Sequence, residues 1–391
     1  MERAAFDAVA QAIEGADPVR AFAAAEAALR REKDHPRLFE LLLMKARHEL
    51  GVSVVQLGPA SSLPEKIRTA YEERVVAAAR TVGGLYLADG DIPAAFSYLN
   101  MIGETDSVRA AIAAWRPGEE DESFDAVIDI AVGNSVHPAR GLELVLDRYG
   151  TCQAITSCEQ LLSQGLRAPA RDDCVKLLVR TLHAELVDRL KSEIEAREGS
   201  APAIASIPVL MGGRDWLFAD EAYHIDTSHL NSVVRMARLL PKCEELFLAL
   251  QLCDYGARLG PRYRYPESPP FEDAFADSAA YFKTILGTDV EKGLALFRQR
   301  AEDVAAENLN TYPAEVYVHL LQTVGRNDEA VQYAGRKLNR PEFRPSFGLG
   351  LNELCQTHGK FDSMANWARR RGDLLGLVAG VVQSAPKAGR A

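Results

Sequence analysis

Gly325-Arg-Asn-Asp-Glu-Ala330-Val-Gln-Tyr333-Ala334 and Gly359-Lys-Phe-Asp-Ser-Met364-Ala-Asn-Trp367-Ala368 align without a gap, 34 residues apart. A third string, Gly90-Asp-Ile-Pro-Ala-Ala95-Phe-Ser-Tyr98-Leu99, keeps the same order. In each, a glycine is followed five positions later by a small or apolar residue and three beyond that by an aromatic, Tyr98, Tyr333 and Trp367 in turn. The order has a physical reading. The glycine closes one helix in a left-handed turn, the small residue lets the next helix approach closely, and the aromatic fills the groove behind it.

Outward from these strings the chain keeps a helical period. Residues 19–33 are rich in alanine, with Phe22 and Leu29 seven apart on one face. His35-Pro36 interrupts the pattern, and Leu38, Leu41, Leu42 and Ala46 resume it. Over 172–197, Val175, Leu178, Val179, Leu182, Leu186, Leu190 and Ile194 form one stripe. No alternating apolar run is long enough to propose a sheet.

With Gly83, Tyr86, Gly90 and Ala95 at matching relative spacings and a step of 34 residues, the chain resembles the tetratricopeptide-repeat family. Ala79 stands at that pattern's usual tryptophan, and Ser107 where a proline would close the unit. The likeness is good around 80–105, 312–338 and 348–372, and faint around Gly150-Thr-Cys-Gln-Ala-Ile155. It implies an all-α fold, a right-handed solenoid of antiparallel helix pairs, with two irregular insertions. Such repeats mostly bind peptides or other proteins, so the resemblance implies a scaffold with a protein or peptide partner.

Composition narrows the classes. Hydrophobic residues at 47% and charged residues at 26% are a globular balance. A net charge of −10 repels phosphate backbones and argues against nucleic acid. No apolar window is long enough for a membrane helix, and the start, Met-Glu-Arg-Ala-Ala-Phe-Asp, does not read as a signal peptide. Cys152, Cys158, Cys174, Cys243, Cys253 and Cys355 lack the spacing of a zinc ribbon or a redox motif. They read as free thiols in a reducing cytoplasm.

Two interruptions break the regularity, at 198–228 and 256–272. Long irregular connections inside an array are often functional. The first ends in His224-Ile-Asp226-Thr-Ser-His229, two imidazoles flanking a carboxylate. Donors of that kind suit a divalent transition metal, with Glu221 or His183 as further ligands. The competing reading makes Asp226 only the cap of a helix starting near Ser228. Trp216, Phe218 and Tyr223 could shield such a centre. The second interruption carries Tyr263, Tyr265 and Phe271 among Arg262, Arg264 and four prolines, a composition that could dock an acidic or extended ligand. Both interruptions are expected on one common surface. Gly83-Gly84, Gly212-Gly213 and Gly348-Leu-Gly350 lack the setting of a phosphate loop, and Arg369-Arg370-Arg371 reads as a solvated helix end.

The expected organisation is N-terminal helical repeats over 1–197, the insertions with the His/Asp segment over 198–272, C-terminal repeats over 273–383, and a disordered tail over 384–391. Function divides between a protein- or peptide-binding scaffold and a metal-dependent enzyme or metal-binding protein with a pocket around His224, Asp226 and His229.

Overall fold

A computed structural model describes residues 3–15, 17–55, 59–118, 120–204, 206–304, 310–340 and 345–385. The tail expected to be disordered falls largely outside them. The described residues are helical, and the sole β-type pairing among them is an isolated bridge between Pro266 and Asp273. None of the helices is long and apolar enough to cross a membrane.

The chain divides into two compact units, Met1–Arg148 and Tyr149–Ala391. The first holds α1 (Arg3–Ile13), α2 (Pro18–Arg31), α3 (His35–Glu49), α4 (Glu65–Asp89), α5 (Ile92–Met101), α6 (Asp106–Ala114) and α7 (Phe124–Ile128). The next helix, α8 (Pro138–Ser163), runs across the division and is broken at Gly150, whose φ of 80° and ψ of 179° are not helical. The second unit continues with α9 (Ala170–Glu198), α10 (Ile207–Met211), α11 (Thr227–Ala237), α12 (Glu245–Gly256), α13 (Ala274–Leu286) and α14 (Val290–Glu302). It ends with α15 (Tyr312–Thr323), α16 (Asn327–Lys337), α17 (Leu351–Thr357), α18 (Phe361–Arg371) and α19 (Leu374–Ser384).

Most helices pack on their neighbours in sequence: α2 on α3, α3 on α4, α4 on α5, and α12 through α16 in succession. The three matched strings explain how. Gly90, Gly325 and Gly359 have φ of 85°, 80° and 64°, each closing a helix in the left-handed region. After each glycine, the next backbone N–H donates to the carbonyl five residues back: Asp91 to Tyr86 (2.9 Å), Arg326 to Leu321 (2.8 Å) and Lys360 to Cys355 (2.8 Å). These bonds satisfy carbonyls the helix end would leave orphaned. Asp17, Asp34 and Asp91 cap the starts of α2, α3 and α5 through their side chains.

Close approach follows at the small residues. Ala95 and Ala330 have no exposed surface and Met364 is buried. A Cβ on Gly83 of α4 would come within 2.6 Å of Leu99 Cγ on α5. The aromatics fill the grooves as expected. Tyr333 meets Tyr317 edge to face at 4.7 Å, Tyr98 stacks on Tyr86 at 5.7 Å, and Trp367 lies directly over Gly335.

α9 departs from neighbour-on-neighbour packing, because it touches α10, α11 and α12 together. Its stripe from Val175 to Ile194 is buried throughout. That packing places α9 within the second unit, which begins at Tyr149. Beyond α12, Phe271, Tyr281 and Phe297 form an aromatic core with mutual centroid distances of 5.5 to 5.8 Å. The buried Arg238 guanidinium lies 3.8 Å from the Phe271 ring centre and pairs with Glu267 at 2.6 Å. Phe271 is therefore core and not part of an open aromatic loop.

Overpacking a fully enclosed alanine costs about 1–3 kcal/mol. Ala330→Leu is expected to lower the thermal midpoint by several degrees, read by circular dichroism, whereas Glu329→Leu on the exposed side of the same helix leaves it nearly unchanged.

Candidate functional site

The first interruption is held down by one buried hydroxyl. Tyr255, on α12, has no exposed surface. Its Oη accepts the backbone N–H of His224 at 2.8 Å and lies 3.0 Å from His224 Nδ1. The hydroxyl carries one proton to donate, and donating it to Nδ1 leaves the ring proton of a neutral His224 on Nε2. Glu193 Oε2, on α9, lies 2.9 Å from Nε2, an ion-pair distance, although the N–H does not point squarely at it. Phe218 packs against both rings, 5.5 Å from Tyr255 and 6.2 Å from His224. Burial pushes the Tyr255 hydroxyl well above its ordinary range. Burial also pushes His224 down, with the Glu193 carboxylate opposing.

The other expected ligands go elsewhere. Asp226 is exposed and caps α11, its Oδ1 accepting from Ser228 N (2.8 Å), Ser228 Oγ (2.6 Å) and His229 N (3.3 Å). Those bonds, the Ser228 hydroxyl first, lower its pKa. His224 and Asp226 thus part, one inward and one to the helix end. His229 is half-buried one turn into α11. His183, on α9, faces Gln251 at 3.2 Å, whose Oε1 also accepts Ile207 N at 3.0 Å. Glu221 pairs with Arg262. Among the described residues no group of three or more His, Cys, Asp or Glu side chains is arranged to hold a metal ion.

The two interruptions do meet. Tyr223 and Tyr263 lie 5.1 Å apart, tilted by 59°. Arg262 lies over the Tyr263 ring at 4.6 Å and reaches Glu221 at 2.9 Å. Arg258 bonds Asp215 at 2.5 Å and covers Phe218 at 4.8 Å, while Tyr265 Oη stands 3.5 Å from Thr227 Oγ1. Tyr223 and Tyr265 remain 54% and 46% exposed, so polar and aromatic surface faces water here. Arg264 turns back to cap the end of α12, donating to Leu259 O (3.1 Å) and Ala257 O (2.6 Å). Trp216 is half-buried beneath Arg197 at 4.3 Å. Asp220 and Glu221 adopt φ of 53° and 59°, a left-handed turn that costs non-glycine residues energy and persists only where neighbours hold it.

Glu193, Tyr255, Gln251 and Arg258 escaped the sequence reading. Tyr255 had one usable signal: a hydroxyl on an otherwise apolar helix face needs a partner when buried.

Searches against models of known protein families, curated proteins and solved structures found no match.

Two outcomes are expected. Tyr255→Phe strips the backbone N–H and Nδ1 of His224 of their common partner and should cost about 1–3 kcal/mol in urea unfolding, the penalty for unpaired buried polar groups. The second concerns His319 on α15, which burial, reinforced by the nearby Arg171 charge, pushes down to about 4. The unfolded chain protonates near pH ~6.5, before folded His319 does, so it binds more protons and stability falls as pH drops through that window. His319 alone should contribute a loss of about 2 kcal/mol between pH 7 and pH 5. His137, His183 and His224, also lowered by burial, act in the same direction. His319→Gln should flatten the urea-midpoint profile, and an equally steep profile would contradict the assignment.

Proposed function

We propose that the chain is a protein- or peptide-binding scaffold of the tetratricopeptide type, a right-handed solenoid of antiparallel helix pairs, and that the partner docks on the surface around Tyr223 and Tyr263. The observation that carries this reading is the meeting of the two interruptions in an exposed patch of tyrosine and arginine. Those residue types dominate binding energy at protein interfaces because they combine large rigid area with a polar end. Arg262, already ordered by Glu221, loses little side-chain freedom on contact. The free thiols support a cytoplasmic location.

The test uses the full chain and a displayed library of random peptides. The wild-type chain should enrich a common sequence, and the corresponding synthetic peptide should bind Tyr223→Ala with Tyr263→Ala about thirtyfold more weakly, the effect of losing a hot spot of about 2 kcal/mol. Equal affinity for the double variant rules the surface out. Elemental analysis of protein purified without chelator addresses the other chemistry: a stoichiometric transition metal lost in His224→Ala with His229→Ala would favour a metal centre instead.

A further inference from the structure

The C-terminal helix α19 exposes an apolar stripe. Leu374, Leu375, Val378, Val381 and Val382 are 69%, 81%, 50%, 52% and 65% exposed. Their spacing places them on one side of the helix. The opposite side is committed, since Cβ atoms on Gly376 and Gly380 would run into α18 or the turn before α19: at Gly380 within 2.6 Å of Ala365 N and 2.9 Å of Phe361 O. The stripe is therefore presented on a firm support. No residue of Leu374–Ser384 is charged.

We infer that this stripe pairs with the same stripe of a second copy of the chain, about a two-fold axis, with the two α19 helices running in opposite directions. Two observations favour a second copy as the occupant. First, the helix is neutral, so two copies approach there without the repulsion that the net charge of −10 imposes elsewhere. Second, the charges at the two ends of the α18–α19 hairpin are self-complementary. α19 returns along α18, its last residue reaching the first turn of that helix, where Ser384 Oγ donates to Asp362 Oδ1 at 2.9 Å. One end of the hairpin thus carries exposed Arg369 and Arg370, and the other carries exposed Asp362. A two-fold axis across the helices sets the arginines of one copy beside Asp362 of the other, an isologous contact in which each copy satisfies its partner in the same way.

Eleven residues of helix span about 16 Å. The helix pair alone therefore covers less than the roughly 1,600 Å2 of a standard interface, and the association is reversible, in the micromolar range.

Sedimentation equilibrium of the full chain from about 1 to about 200 μM tests this. The average mass should rise with concentration from 42.8 kDa toward twice that value. Leu375→Glu with Val382→Glu changes exposed positions, keeps the helical circular dichroism, and should raise the dimer dissociation constant at least about tenfold. Arg369→Glu with Arg370→Glu should weaken the dimer, and adding Asp362→Arg should restore it in part. A single mass near 42.8 kDa at every concentration overturns the inference. So does a dimer indifferent to the stripe variant, or a charge reversal without rescue.

Discussion

Close approach between consecutive helices is the constraint on which the helix pairs depend. Two helices meet tightly only where one side offers almost no side chain, and here Gly83, Ala95, Ala330 and Gly335 supply those positions. Each tight contact obliges the chain to turn sharply just before it. That is why a left-handed glycine precedes a buried residue by a fixed interval in all three strings, alanine in two of them and Met364 in the third. The backbone bond from the residue after each glycine to the carbonyl five back makes the turn and the helix end one unit. Closure, approach and groove filling are then successive consequences of one geometry.

The second unit departs from this scheme where α9 supports three helices at once. The irregular segment before α11 lies along the far end of this helix of 29 residues, where Arg214 pairs with Glu198 and Arg197 covers Trp216, and it is fastened at His224 by Tyr255 and Glu193. Fastening by a buried hydroxyl has a consequence for what lies outward of it. Asp220 and Glu221 can persist in the left-handed region because His224 anchors the chain on one side and Arg262 holds Glu221 on the other. The exposed tyrosines therefore sit on a backbone that is irregular and yet over-determined.

What could be read from sequence follows the range of the interaction. The glycine closures involve bonds across five residues, so Gly325 and Gly359 announce them locally. The α9 stripe is legible for the same reason, since Val175 through Ile194 repeat within one helix. Asp226 as a cap of α11 was open to the same kind of inference, because the acceptor and its amides lie within three residues. His224 was noticed for its neighbours in sequence, but its partners stand 31 residues later, at Tyr255, and 31 earlier, at Glu193. No spacing rule links positions brought together only by the packing of α9 on α12. The packing of α9 on three helices was hidden for a related reason, because it depends on what α9 touches and not on how α9 is composed.

The two exposed surfaces of the second unit differ in the physics of being left uncovered. A tyrosine and arginine patch keeps its hydroxyls and guanidinium hydrated when alone, so the unbound state is tolerable and binding can be transient. The α19 stripe has no such polar ends. Leucine and valine there gain nothing from water, and every uncovered side chain retains its full hydration cost until something apolar replaces it. A neutral helix also exerts no long-range steering, so encounter is governed by the arginine and aspartate ends and affinity by the aliphatic centre. The recognition proposed at Tyr223 and Tyr263 would accordingly vary with the ligand, whereas the stripe asks only for another aliphatic face of matching length, which the proposed second copy would supply.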